Sequence, residues 1–88
     1  MSRFGGQVVI VTGGALGIGG ATARKFAKKG AKVLIADFNE EAATKNVELI
    51  LSQGGIAAFS HTDVSKGEDL ERMVQEAIRQ FGGVDVLV

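Results

Sequence analysis

Between Thr12 and Gly19 the chain reads Thr-Gly-Gly-Ala-Leu-Gly-Ile-Gly, and it enters this stretch directly from the apolar run Val8–Val11. Glycine reaches positive φ without strain and lets the backbone approach other groups closely. A strand that ends in such a turn and then opens a helix gathers unpaired N–H groups and about half a positive charge at one spot, which suits a phosphate. In this spacing Gly13 makes the sharp turn, Gly17 admits a pyrophosphate, and Gly19 lets helix and strand pack. Asp37 ends the next apolar run, 18 residues beyond Gly19. That is close to the ~20-residue offset of an acid that accepts from the adenosine ribose hydroxyls. A carboxylate there repels a 2′-phosphate, and no basic residue stands at Gly14 to Leu16 or at Phe38 to offset the repulsion. NAD is therefore expected in preference to NADP. Two plainer readings stand beside these: a tight turn with no ligand, and an acid that favours the dipole of the following helix.

No other constellation offers catalysis. His61 is the only histidine and reads as a solvated strand-end residue; cysteine and tyrosine are absent. No carboxylate pair has an evident reason to share a pocket, so general acid–base roles find no candidates. The lack of cysteine excludes a disulfide framework and a thiolate metal site. Formal net charge is zero, which argues against a general attraction to nucleic acid or an anionic membrane. Arg3, Arg24, Lys25, Lys28, Lys29 and Lys32 precede the first acid, but most fall late in a predicted helix, where cations complement the dipole.

The elements that must position the turn follow from periodicity. Gln7 to Thr12 is a β-branched run typical of a strand buried on both faces. Ile18 to Lys29 reads as a helix with Ala23, Phe26 and Ala27 toward the sheet, ending at Gly30. Lys32 to Asp37 is a second buried strand. Asn39 caps a helix that runs to about Gln53, with Ala43, Val47, Ile50 and Leu51 as its apolar stripe. Ile56 to Ser60 is a third strand. Ser65-Lys66-Gly67-Glu68 has the form of a capping box. Leu70, Met73, Val74, Ala77, Ile78 and Phe81 then recur at helical spacing over a helix spanning 66–81. Val84 to Val88 begins a fourth strand. The order βαβαβαβ implies an α/β fold with a parallel sheet and right-handed crossovers, read here as one domain over 1–88. Phe4 to Ala23 is uncharged but holds seven glycines, too polar in backbone for a membrane span, so a cytoplasmic location is expected.

Thr12-Gly-x-x-x-Gly-x-Gly19, with Asp37 and the Asp63-Val64 pair, resembles the N-terminal part of a classical short-chain dehydrogenase/reductase. The resemblance covers the whole chain. It implies that Gly13, Ala15, Leu16, Gly17, Ile18 and Gly19 form the pyrophosphate turn and that Phe38 flanks the adenosine. It further implies that Asp63 bonds the adenine amine and Val64 packs on the ring. Read alone, Asp63 is a loop acid before a capped helix. The family's Asn-Asn-Ala-Gly motif, its serine and its Tyr-x-x-x-Lys pair have no counterpart in these 88 residues, so no hydride transfer is expected from this chain by itself.

The resemblance implies a three-layer half of a Rossmann fold with strand order 3-2-1-4. Helices 18–29 and 39–53 would cover one face and helix 66–81 the other, with strand 84–88 left as an apolar edge. That edge, with the face bearing helix 66–81, is expected to seat a second copy of the chain. The leading expectation is a truncated or minimised dinucleotide-binding half that holds the ADP part of NAD. The rivals are a self-assembling α/β unit without a ligand and a segment of a full oxidoreductase.

Overall fold

In the computed structural model residues 5–88 are described. The strands are β1 (Val8–Thr12), β2 (Lys32–Asp37), β3 (Ile56–His61) and β4 (Val86–Leu87), and the helices between them are α1 (Gly17–Lys28), α2 (Glu40–Ser52) and α3 (Gly67–Phe81). All pairings are parallel, in the order β3-β2-β1-β4. The expected α/β half-Rossmann architecture is thus present.

Side-chain alternation along the two central strands builds the three layers. Val9, Val11, Val33 and Ile35 point to one face, where they meet Ala23 and Ala27 of α1 and Ala43 and Ile50 of α2. Val8, Ile10, Leu34 and Ala36 point to the other and meet Met73 and Ala77 of α3. Because both faces are covered, the strands carry continuous apolar runs in place of a polar–apolar alternation. Helices α1 and α2 lie on one side and α3 alone on the other, as the sequence predicts.

Four details differ from the sequence reading. The last strand is Val86–Leu87, against the expected 84–88, with backbone bonds to β1 running from the Asp85 N–H to the Val88 carbonyl. The Val8 N–H donates to the Asp85 carboxylate at 2.7 Å, and a side chain thereby takes the place of a strand carbonyl at the first rung. Leu51 is exposed, and the buried stripe of α2 is Ala43, Asn46 and Ile50. Leu51 follows Ile50 by one residue, a rotation of about 100° that carries it off the sheet-facing side. The capping box does not form: Lys66 is the N-cap of α3 and makes no side-chain capping bond. Ser65 instead turns its hydroxyl to Asp63 Oδ1. The reach-back that the box assigns to Glu68 is made by Asp69, the third helical residue, whose Oδ2 accepts from the Asp63 N–H at 2.9 Å. Along α3, Met73 and Ala77 are buried while Leu70 and Ile78, at the margins of the apolar stripe, remain exposed. By contrast Asn39 caps α2 as predicted, accepting from the Ala42 N–H at 3.1 Å.

Candidate functional site

The carboxyl ends of β1, β2 and β3 meet at one edge of the sheet, where ligands of open parallel sheets bind. The first component is the glycine turn. Gly13 has φ +66°, and its N–H donates to the Ala36 carbonyl at 2.9 Å, so the turn is tied to β2. Gly17 has φ +57° with open space around its Cα. At Gly19 a Cβ would lie 2.0 Å from the Gly13 carbonyl oxygen. Only glycine lets the first turn of α1 sit this close to the end of β1.

The second component is the start of α1. Leu16 is extended (φ −135°, ψ 168°) and offers no side-chain cap, and the first turn contains no acid. The N–H groups of Gly17, Ile18 and Gly19 precede the first i→i−4 bond, which Gly20 makes to the Leu16 carbonyl at 2.9 Å. The other two helices carry Glu40 and Glu41, and Glu68 and Asp69, in their first turns. Those acids answer the local dipole; α1 leaves its own open to an external anion.

Acidic side chains form the third component. Asp37 Oδ2 accepts from the Ala15 N–H at 3.0 Å and Oδ1 from the Asn39 N–H at 2.9 Å, which locks the carboxylate against the glycine turn. Asp63 Oδ1 accepts from the Ser65 N–H at 3.0 Å and from the Ser65 hydroxyl at 2.6 Å. The Ser65 hydroxyl, then the Ser65 N–H, hold the Asp63 carboxyl below the usual carboxylate range. A crevice of about 200 Å³ is lined by Gly13, Ala36, Asp37, Phe38, Thr62, Asp63 and Val64. The expectation that no carboxylates share a pocket is therefore corrected. β2 and β3 are neighbours in the sheet, and Asp37 and Asp63 leave their ends on the same side. Both carboxylates already accept N–H or O–H donors, which suits anionic acceptor roles more than proton transfer.

Apolar side chains frame this edge: Leu16 is 64% exposed, Ile18 89%, Phe38 66% and Val64 58%. His61 is exposed at the end of β3, as expected, with its ring 5.2 Å from that of Phe38. A second hollow of about 460 Å³ is lined by Ala15, Leu16, Arg24, Asn39 and Asn46 among others. Of the ten residues singled out from the sequence, Gly13, Asp37, Phe38, Asp63 and Val64 line the smaller crevice, Ala15 is bonded to Asp37, and Leu16, Gly17, Ile18 and Gly19 form the start of α1 beside Gly13. Asn46 and Asp69 were missed. Asn46 is buried, donating to the Gly14 carbonyl at 2.7 Å and to the Gly20 carbonyl at 3.3 Å. Its signal was available: it lies three residues after Ala43 and four before Ile50, a polar residue on an apolar stripe. Among the described residues no cluster of three His, Cys, Asp or Glu could hold a metal, and no helix is long and apolar enough to cross a membrane.

Fold and site together define a doubly wound α/β protein of the glycine-turn class. Residues 7–88 match the family model described as short chain dehydrogenase, and the chain belongs to that family. It is 48% identical over 86 residues to an uncharacterised oxidoreductase of Thermotoga maritima, covering 98% of this chain and 34% of that protein. It is 42% identical over 86 residues to a 2,5-dichloro-2,5-cyclohexadiene-1,4-diol dehydrogenase of Sphingobium indicum, with 98% of this chain and 34% of that protein covered. Among solved structures, a 7α-hydroxysteroid dehydrogenase complexed with NADH and 7-oxo glycochenodeoxycholic acid superposes with a TM-score of 0.95 at 36% identity, over 97% of this chain and 33% of that one. The chain spans about a third of the length of the curated relatives it matches.

Proposed function

We propose that residues 1–88 form a dinucleotide-binding domain that holds the ADP portion of NAD. The observation that carries this reading is the bond between Asp37 and the Ala15 N–H, 3.0 Å long. It sets a ribose-accepting carboxylate directly beside an uncapped helix start. The residues fit the group: Gly17, Ile18 and Gly19 offer N–H groups to a pyrophosphate, with open space over Gly17. Asp37 accepts from the ribose hydroxyls, Asp63 from the adenine amine, and Phe38 and Val64 flank the ring. Such a cofactor carries a hydride on its nicotinamide. The residues of this chain bind and orient its adenosine end, and none of them is placed to exchange a proton with a substrate. Asp37 favours NAD over NADP by repelling a 2′-phosphate. Binding is weak, since a ligand half buried leaves little surplus over the cost of immobilising it.

Calorimetric titration with NAD, ADP and NADP tests the reading. Similar binding of NAD and ADP with weaker NADP is expected; no binding of any of the three removes it. A second copy of the chain is the proposed partner, favoured by the exposed Leu70, Ile78, Leu87 and Val88 on α3 and at the β4 edge. Light scattering at micromolar concentration should return a dimer mass. A cytoplasmic location completes the proposal, and a fluorescent fusion that partitions to membranes would overturn it.

A further inference from the structure

We infer that Asn46 is a positioning residue of the nucleotide site: it fastens the Gly14–Ala15 peptide and through it holds the Asp37 carboxylate in place. The peptide is trans, so the Gly14 carbonyl and the Ala15 N–H point in opposite directions. The carbonyl receives Asn46 Nδ2 at 2.7 Å, and the N–H donates to Asp37 Oδ2 at 3.0 Å. One peptide is thus gripped from α2 on one side and from the end of β2 on the other.

Asn46 can do this because its own amide has a defined direction. Arg24 Nη1 donates to Asn46 Oδ1 at 3.0 Å, and a guanidinium can only donate. The NH2 end is thereby turned toward the carbonyls of Gly14 and Gly20, the latter at 3.3 Å. Asn46 is 4% exposed, and no buried side-chain polar atom among the described residues lacks a partner. Turning the peptide over would set its carbonyl against the Asp37 carboxylate and its N–H against the Asn46 NH2. Acceptor would face acceptor and donor would face donor. Sterics favour the same sense, because turning the peptide over changes ψ of Gly14 and φ of Ala15, and would drive Ala15, which has no positive φ here, into a region L-residues rarely adopt. The polar clamp adds to that preference and fixes the peptide against the Asp37 carboxylate.

The inference deepens the proposed nucleotide site and rests on it for its functional meaning, but its structural part can be read separately. Asn46→Asp keeps the shape of the side chain and replaces two donors by acceptors facing carbonyls. Arg24→Met leaves Asn46 intact and removes the group that orients its amide. Amide hydrogen exchange by NMR should show the Ala15 N–H exchanging roughly tenfold faster in Asn46→Asp, relative to the core amides of Val9, Val33 and Leu34. A smaller acceleration of the same amide is expected in Arg24→Met, which also carries the test if Asn46→Asp does not fold. The affinity ratio of NAD to NADP should fall toward one in both, whereas a merely structural role would weaken the two ligands equally. Unchanged Ala15 exchange in the folded variants, or acceleration spread evenly over the core amides, overturns the inference. If the unaltered chain binds no nucleotide, the functional reading fails, and Ala15 exchange still decides whether Asn46 holds the peptide.

Discussion

Asp37 binds two backbone N–H groups of its own protein, and in the proposed site it would accept from a ligand as well, so its removal tests both. Asp37→Asn keeps the shape and loses the charge. Hydrogen bonds to charged groups contribute about 1.5–3 kcal/mol, so ADP-ribose affinity should fall roughly 10- to 100-fold by calorimetry, with NADP affected less than NAD. Asp63 makes a pH prediction. Ser65 depresses its pKa in the folded chain, so the stabilisation from this turn is present above the ordinary carboxylate range and is lost as pH falls through the depressed value. Ser65→Ala removes the first cause, and the Asp63 carboxyl should then titrate closer to its ordinary value in a carbon-detected NMR titration. The glycine spacing and Asp37 were legible in the sequence because a strand, a turn and a helix start are local. Spacing marks Asn46 only as a polar residue on the apolar stripe of α2 and does not mark Asp69 at all: the partners of both are set by the rotation of a helix about its axis and by how closely it approaches a neighbouring loop. Spacing along the chain reports neither.

The elements themselves were legible to within a residue or two, and the misreadings share a cause. Ser65 has the chemistry of an N-cap, but Asp63 two residues earlier competes for its hydroxyl, and Asp69 satisfies the N–H of Asp63. Local bonds of this kind displace a helix start by one residue without altering its composition. Two glycines at helix starts make a contrasting pair. Gly19→Ala would place a Cβ 2.0 Å from the Gly13 carbonyl and must push α1 away from β1. Urea unfolding should show a loss of about 1–3 kcal/mol or more, with nucleotide binding lost in parallel. Gly67 opens α3 without positive φ and with nothing within 4 Å of an added Cβ. Gly67→Ala should stabilise by about 0.4–1 kcal/mol, since it restricts the unfolded chain only.

At the scale of the whole molecule, strand order was legible because right-handed crossovers leave few arrangements for alternating strands and helices. What covers the exposed rows was not, because an apolar face records that it needs a partner and not which one. If a second copy sits there, Ile78→Glu should shift the mass in light scattering to that of a monomer. The thermal midpoint measured at low concentration should change little, since Ile78 is already exposed. The bond from the Val8 N–H to Asp85 joins positions 77 residues apart. It has a consequence in time. β1, β2 and β3 follow one another along the chain and can pair as each is synthesised, but the partner on the far side of β1 is the last of these four strands to emerge. Closing that loop is the most demanding step entropically. Until it closes, the edge beside Val9, Ile10 and Val11 offers bare N–H and carbonyl groups on an uncharged β-branched segment, the kind that pairs with strangers. Folding yield in a crowded cell then turns on a race between Asp85 and the nearest unfinished chain.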